Sequence, residues 1–290
     1  MKPTYHCIPC HVNHIYRVVS GLTLDEHTKL RLMQELTRII AGNFSTPPDC
    51  AHELYTAIFQ LTGIDDPFTQ VKKNSNALMM SMLPQLRAEC ETNPLMQALK
   101  LSLAANMIDY GIGDSNCGED FAVTLKTIIH DICIPEEFYR EFILAAEKAE
   151  TIFYVADNAG EIVADMLLVD YLPKEKIVFA VRGYPVINDA TLQDAQDIGL
   201  TQKVKVITTG DKTPGINLTR CSQEFLQKLS QADMIIVKGQ GNFETMIDVP
   251  LDGIVKKGVK LFFMFKVKCL PVAEFTHKKI GGDAFIMREI

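Results

Sequence analysis

Polar side chains with the chemistry of metal ligands follow short apolar runs in the second half of the chain. Asp157 and Asn158 come directly after a run that begins at Ile152, and Asp189 lies a few residues beyond the next run. Carboxylate and amide oxygens are hard donors, which suit Mg²⁺ or Mn²⁺ far better than zinc. An Asp-Asn pair can also cap a helix, which needs only one short polar residue. On their own, Asp157 and Asn158 leave both interpretations open.

Cationic side chains follow the later runs. Lys238 precedes Gly239 and Gly241, and Lys268 comes after the last run. A lysine ammonium binds phosphate as a point charge, and glycine lets backbone N–H groups approach a ligand closely. Hard oxygen ligands beside such donors suit a metal-bridged phosphate. Ala159 occupies the place of the second acid in an aspartyl-phosphate motif, so we expect direct attack by water instead.

These side chains can meet only if the runs before them are parallel strands. Short β-rich runs alternate with helical patterns, which predicts right-handed crossovers and a parallel sheet. The predicted strands are 152–155, 177–181, 204–207, 234–237 and 261–265. Ligands of such a sheet bind outside the carboxyl ends of its strands, where the polar residues would lie together.

The first half of the chain is nearly all helix by its apolar spacing. Helical patterns cover 24–40, 68–91, 94–110 and 135–149, with shorter ones between them. Asn106 and Asp109 are three residues apart and therefore share one face of their helix. The sequence thus predicts a helical first half and an α/β second half.

Composition excludes several classes of protein. The 290 residues are 47% hydrophobic and 22% charged, an ordinary globular composition, and the net charge of −7 argues against nucleic-acid binding. No apolar run approaches the roughly 20 residues that span a bilayer. The polar N-terminus does not resemble a secretory signal, which places the protein in the cytoplasm by default. A P-loop and a G-x-G-x-x-G turn are both absent.

The eight cysteines are scattered, and we expect reduced thiols. Cys7 and Cys10 form the one close pair, with His6, His11 and His14 nearby. The pair could be an ordinary pair, a structural metal site or a redox pair, and the sequence leaves all three open. Because the pair is remote in sequence from the strand-end residues, we expect it not to be catalytic.

Several motifs in order resemble the DUF89 family of metal-dependent damage-control phosphatases. They are Asp157-Asn158-Ala159-Gly160-Glu161, the stretch from Arg182-Gly183 to Asn188-Asp189-Ala190-Thr191, and Lys238-Gly239-Gln240-Gly241-Asn242. Two helical motifs also match, namely Asn106 with Asp109, and Asp66-Pro67-Phe68 with Lys72 and Asn76. Cys7-x-x-Cys10 resembles the smaller prokaryotic branch of the family.

The resemblance implies a helical N-terminal domain, 1–149, packed on a three-layer α/β/α domain, 150–290, with a mostly parallel, Rossmann-like sheet. The active site would lie between them, with Mn, Mg, Co or Ni held by Asp157, Asn158 and Asp189. Lys238 and Lys268 would complete the catalytic set. The residues expected to bind substrate are Glu161, Arg182, Asn188, Gly239, Gly241, Asn242, Asn106 and Asp109.

The implied activity is hydrolysis of small phosphate monoesters, either sugar phosphates or damaged phosphometabolites, with neither nucleic acid nor membrane as a partner. Two alternatives remain. One is a metabolite or metal sensor that keeps the ligands without catalysis. The other is a carboxyl methyltransferase, which would need a glycine-rich turn that Ala159-Gly160 matches poorly.

Overall fold

The chain folds around a mixed sheet in a computed structural model that describes residues 1–106 and 127–290. Within those ranges the strands are β1 (Ile152–Val155), β2 (Ile177–Val181), β3 (Lys205–Thr208), β4 (Met234–Lys238), β5 (Lys260–Lys266) and β6 (Asp283–Glu289). The spatial order is β3-β2-β1-β4-β5-β6, and only β6 runs antiparallel to its neighbour. The predicted strands correspond to β1–β5. The edge strand β6 was not predicted. Its ends are polar and it is only partly buried, so its hydrophobic pattern is weak.

Helices cover both faces of the sheet, as the apolar runs require. The strands β1, β2 and β4 are buried along their whole length, which explains their continuous apolar sequence. One face packs against α4 (Thr69–Glu89), α5 (Pro94–Ala105), α6 (Glu136–Lys148), α7 (Glu161–Val169) and α8 (Leu192–Asp197). The other face packs against α9 (Gln223–Gln231), α10 (Gln240–Met246) and α11 (Leu270–Thr276). The three-layer α/β fold class is therefore confirmed.

A smaller core lies under the first three helices. These are α1 (Cys7–Gly21), α2 (Glu26–Ile40) and α3 (Pro47–Thr62), and they bury Ile15, Leu36 and Leu54 together with Val186 from the loop after β2. The helices α4–α6 share their core with the sheet instead. The domain boundary between 149 and 150 stays a prediction. No helix in the described ranges is long and apolar enough to cross a membrane.

The strand order determines where a ligand can bind. The connections from β1 and from β4 lead in opposite directions across the sheet, so the loops after these two strands separate and leave a crevice at their carboxyl ends. Asp157 follows β1 and Gly239 follows β4. The sheet therefore opens its crevice beside the predicted site.

Candidate active site

The loops after β1 and β2 bring the three predicted metal ligands together. Asn158 and Asp189 face each other in an isolated antiparallel bridge. The backbone N–H of Ala190 donates to the carbonyl oxygen of Asp157 at 2.8 Å, which ties the two loops side by side. Asp157, Asn158 and Asp189 are all buried. Residues separated by about thirty positions therefore form one polar cluster.

The Asp157 carboxylate is crowded by other acids. Its Oδ2 accepts hydrogen bonds from Nδ2 of Asn158 at 2.7 Å and from Nδ2 of Asn106 at 3.0 Å. Burial, together with repulsion from Glu161 and Asp189, raises the pKa of Asp157 above its ordinary value. Two buried carboxylates that repel each other are stabilised by a shared divalent cation, so the cluster suits one.

The donor set is small but chemically consistent. Asp157 and Asp189 supply carboxylate oxygens. Nδ2 of Asn158 donates to Asp157 and Glu161, which leaves its amide oxygen as a further oxygen donor for a cation. In residues 1–106 and 127–290, no group of three or more His, Cys, Asp or Glu side chains could hold a metal. A cation here would need the Asn158 amide and additional oxygens from water or substrate, as Mg²⁺ sites commonly have. The set fits a hard cation and does not fit a structural zinc.

Gly239 supports Asp157 from behind rather than binding a ligand. A Cβ at position 239 would lie 2.0 Å from Oδ2 of Asp157, and the φ of 82° also favours glycine. The Gly239 N–H donates to the carbonyl oxygen of Met264 at 3.1 Å, within the sheet. Gly241 is similarly close to Pro214, whose oxygen would lie 2.2 Å from a Cβ. Both glycines make room for neighbouring protein atoms, and substrate binding by either of them stays a prediction.

Arg182 and Asn242 position the carboxylates instead of contacting the cavity. Nε of Arg182 donates to Oδ1 of Asp189 at 2.6 Å, and its Nη2 donates to Oδ1 of Asn242 at 2.8 Å. Asn242 in turn donates to the carbonyl oxygens of Ala156 and Lys238. Arg182 is only 1% exposed. The expected substrate-binding role of Arg182 and Asn242 is not supported by this geometry, which gives them a positioning role.

Lys238 also lies behind the site. Its Nζ donates to Oε1 of Glu161 at 2.7 Å, to Oδ1 of Asp165 at 2.8 Å and to the carbonyl oxygen of Ser102 at 2.9 Å. These bonds occupy all three ammonium donors, and Lys238, Glu161 and Asp165 are fully buried. In this geometry Lys238 has no ammonium donor left for a phosphate, and Glu161 binds Lys238 behind the site. The four-residue spacing of two acids on the apolar helix α7 was the available signal for this ion pair.

Asn106 connects the helical half to this inner layer. Its Nδ2 donates to both Asp157 and Glu161, and its Oδ1 accepts from the backbone N–H of Lys266 at 3.0 Å. Asn106 is fully buried and does not line the cavity, so in this structure it holds the Asp157 carboxylate in place. Asp109, its predicted companion, lies outside the described residues.

The motif around Asp66 holds two site loops against α4. Lys72 contacts Oδ2 of Asp66 at 2.8 Å and Oδ2 of Asp194 at 3.4 Å. Asn76 donates to Oδ1 of Asp194 and accepts from the backbone N–H of Gly160 at 2.6 Å. Gly160 lies in the loop after β1, and Asp194 lies just beyond the loop after β2. This clamp fixes the two loops relative to one another.

A cavity of about 490 Å³ opens in front of the cluster. Six predicted site residues line it, namely Asp157, Asn158, Asn188, Asp189, Gly241 and Lys268. The remaining described ones, Glu161, Arg182, Lys238, Gly239, Asn242 and Asn106, lie behind this wall. The sequence predicted one site for both groups. It did not distinguish the residues that line the cavity from the buried residues that hold them in place.

Helix α1 forms the opposite wall. Cys7, Cys10, His11 and Arg17 line the same cavity as the acid cluster. The cysteine pair is remote from the acid cluster in sequence but close to it in space, and its non-catalytic role stays a prediction. Burial, together with the neighbouring Cys7 and Glu244, raises the pKa of Cys10, so its thiol stays protonated. The seven cysteines in the described ranges are all free.

Comparisons with known proteins agree with this architecture. The chain matches the family model described as the damage-control phosphatase ARMT1-like domain over residues 4–283. A damage-control phosphatase of Archaeoglobus fulgidus is 30% identical over 291 residues, with 97% of each chain covered. Another, from Pyrococcus horikoshii, is 29% identical over 279 residues, which cover 94% of this chain and 93% of that protein.

A solved structure extends the likeness to three dimensions. The crystal structure of a DUF89 family protein from Pyrococcus horikoshii has a TM-score of 0.88 and 29% sequence identity to this chain, and the match covers all of both chains. The predicted family is therefore confirmed by both sequence and fold. Because the family model spans nearly the whole chain, the protein belongs to the DUF89 family, the ARMT1-like damage-control phosphatases.

Proposed function

We propose that this protein hydrolyses small phosphate monoesters and that its activity requires a divalent cation held by Asp157, Asn158 and Asp189. The family and its relatives make the chain a phosphatase enzyme. The proposal concerns the metal, the residue roles and the substrate class. The observation that carries it is the pair of crowded, buried carboxylates opening on one cavity beside Lys268.

Each residue has a distinct task in this proposal. A bound Mg²⁺ or Mn²⁺ would polarise the phosphoryl group and offset its developing charge. Asp157 and Asp189 hold that cation, and Arg182 keeps the Asp189 carboxylate in a single orientation. Lys268 lines the cavity next to both acids, and its charge partly offsets the rise in the pKa of Asp157. We assign its ammonium the task of attracting the phosphate.

The cavity supports a small substrate. Its volume of about 490 Å³ matches a small-metabolite site, and its far wall carries the histidines and thiols of α1. Those groups suit the hydroxyl-rich portion of a sugar phosphate or of a damaged phosphometabolite. We place the reaction in the cytoplasm, in keeping with the free cysteines of the described ranges.

The proposal is tested by phosphate release from a panel of esters. Protein stripped of metal by a chelator should be inactive, and one or more of Mn²⁺, Mg²⁺, Co²⁺ and Ni²⁺ should restore turnover of sugar phosphates. Full activity in the stripped protein would overturn the metal requirement. Tight binding of phosphorylated metabolites with every metal but without phosphate release would favour the sensor instead.

Lys268→Ala should lower kcat/KM by about 10²-fold, because an ammonium aimed at the phosphoryl group contributes on this scale. Lys268 is exposed at the cavity, so the free energy of unfolding should change little. The matched control is Lys278→Ala, which removes another exposed lysine outside the cavity and should leave kinetics unchanged. Steady-state kinetics of both variants check the prediction, and equal values for them would contradict it.

A further inference from the structure

Glu244 is an acid that the proposed roles leave unused. It lies on α10, is 8% exposed and lines the same cavity as Asp157 and Lys268. Every other buried acid in the described ranges pairs with an Arg, Lys or His side chain, and those acids are Asp49, Asp157, Glu161, Asp165, Asp189, Asp194 and Asp211. Glu244 forms no such pair with any described residue. A buried acid without a cation is favoured in its protonated, neutral form.

The contacts of Glu244 place it near the phosphate end of the cavity. Nε2 of Gln240 donates to Oε1 of Glu244 at 3.0 Å. Oε1 of Gln240 accepts from the backbone N–H of Lys268 at 2.7 Å. One amide side chain therefore connects Glu244 to the residue proposed to bind phosphate. No described residue bonds to Oε2 of Glu244. That atom is the one available to donate a proton into the cavity.

Within the part of the chain that the structure describes, few charged and titratable groups surround Glu244. Lys268 and Cys269 face it from the segment before α11, and Cys10 faces it from α1. The N-terminal amino group of Met1 binds its backbone oxygen rather than its carboxylate. Burial outweighs the hydrogen bond from Gln240 and the two cations, and it raises the pKa of Glu244 to about 7. That value lies near working pH, where a general acid is most effective.

We propose that Glu244 is the general acid that protonates the leaving oxygen of the substrate. This inference rests on the proposed phosphatase function. In the step, a water oxygen bonds to phosphorus, the P–O ester bond breaks, and the Glu244 proton goes to the departing alkoxide. The products are an alcohol and inorganic phosphate. The attacking water loses a proton to solvent, and Glu244 regains one from solvent.

The role can be separated from simple packing by changing the leaving group. A sugar alkoxide is a poor leaving group that needs a proton, whereas nitrophenolate is stable without one. Glu244→Gln keeps the size of the side chain and its contact with Gln240 but cannot donate the proton. We expect kcat for a sugar phosphate to fall by about 10²-fold or more, while kcat for p-nitrophenyl phosphate stays close to the wild-type value.

The pH profile supplies a second readout. Because the acid must be protonated, wild-type kcat for the sugar phosphate should fall as pH rises above about 7, and Glu244→Gln should lack that limb. Asp248→Asn serves as the control, since Asp248 faces the same N-terminal amine but lies outside the cavity. The rate on p-nitrophenyl phosphate shows in each preparation that the variant is folded.

The outcomes are distinct. A selective loss on the sugar phosphate, together with the lost alkaline limb, supports the general acid. Equal losses on both esters, or no loss on either, overturn it. A wild-type protein that releases phosphate from neither ester with any of the four metals would overturn the proposed function itself, and this inference with it.

Discussion

Asp157→Asn is expected to lower turnover by about 10³-fold or more and to weaken metal binding, because the change removes one of only two carboxylates in the donor set. The asparagine can still accept the hydrogen bonds that Asn106 and Asn158 donate to Oδ2. The loops should therefore keep their positions. Loss of activity would then reflect loss of charge at the metal site and not collapse of the fold.

Thermal unfolding with and without Mn²⁺ distinguishes these explanations. Wild-type stability should rise with the cation, by about 2.7 kcal/mol at a hundredfold excess over Kd. The Asp157→Asn variant should show a much smaller rise. Without metal, it should be at least as stable as wild type, because Asp157 is repelled by Glu161 and Asp189. The control is Asp197→Asn, an exposed acid on α8. Wild-type turnover in Asp157→Asn would contradict the site assignment.

Lys238→Met should destabilise the fold by about 3–5 kcal/mol, since it leaves buried carboxylates without their cation. Glu161 and Asp165 are fully buried, and Oδ2 of Asp165 already lacks a hydrogen-bond partner among the described residues. Lys256→Met is a matched control, because Lys256 contacts Asp233 at 2.5 Å but is half exposed. That change should cost at most about 1 kcal/mol. Urea denaturation of both variants measures the difference.

The pH dependence of this effect has a definite sign. Burial raises the pKa of Asp165, and Lys238 opposes that rise. Without Lys238, the pKa of Asp165 in the folded state must rise further. The folded variant therefore takes up a proton at a higher pH than the unfolded chain does, and it gains stability as pH falls. The stability gap between wild type and Lys238→Met should therefore narrow from pH 8 to pH 5. A gap that is small and constant would show that Lys238 is not the partner of these acids. If Lys238 bound phosphate instead, activity would fall at unchanged stability.

The sequence was sufficient to predict the core architecture. Short, continuous apolar runs rich in β-favouring residues, such as 177–181, indicate strands buried on both faces, and helices between them favour parallel pairing. The same reasoning placed Asp157 and Asn158 at a strand end and Asp189 near them. Periodicity and strand-end position are local properties, which is why these predictions agree with the structure. The edge strand β6 has only a weak pattern and was not predicted. Helix α1 was also missed, although Ile15, Val18 and Val19 have the helical spacing that indicates it.

The local sequence does not determine which polar residues face the cavity. In the sequence Lys238 and Lys268 each follow an apolar run, and no local pattern distinguishes their roles. The side chain of Lys238 points away from the cavity because its ammonium group binds Glu161 and Asp165, which lie on α7. Lys268 lines the cavity whose opposite wall is α1, and the residues of that wall are distant from Lys268 in sequence.

Sequence by itself therefore determined the family, the parallel sheet and the edge at which the chemistry lies, because strand and helix periodicity and short motifs encode them. Only the tertiary structure decided which polar residues line the cavity and which support them, the placement of α1 opposite the acid cluster, and the lack of an ion-pair partner for Glu244 among the described residues. Each of these depends on contacts between residues distant in sequence. Burial and electrostatic pairing are properties of the folded neighbourhood, and no short stretch of the chain carries them.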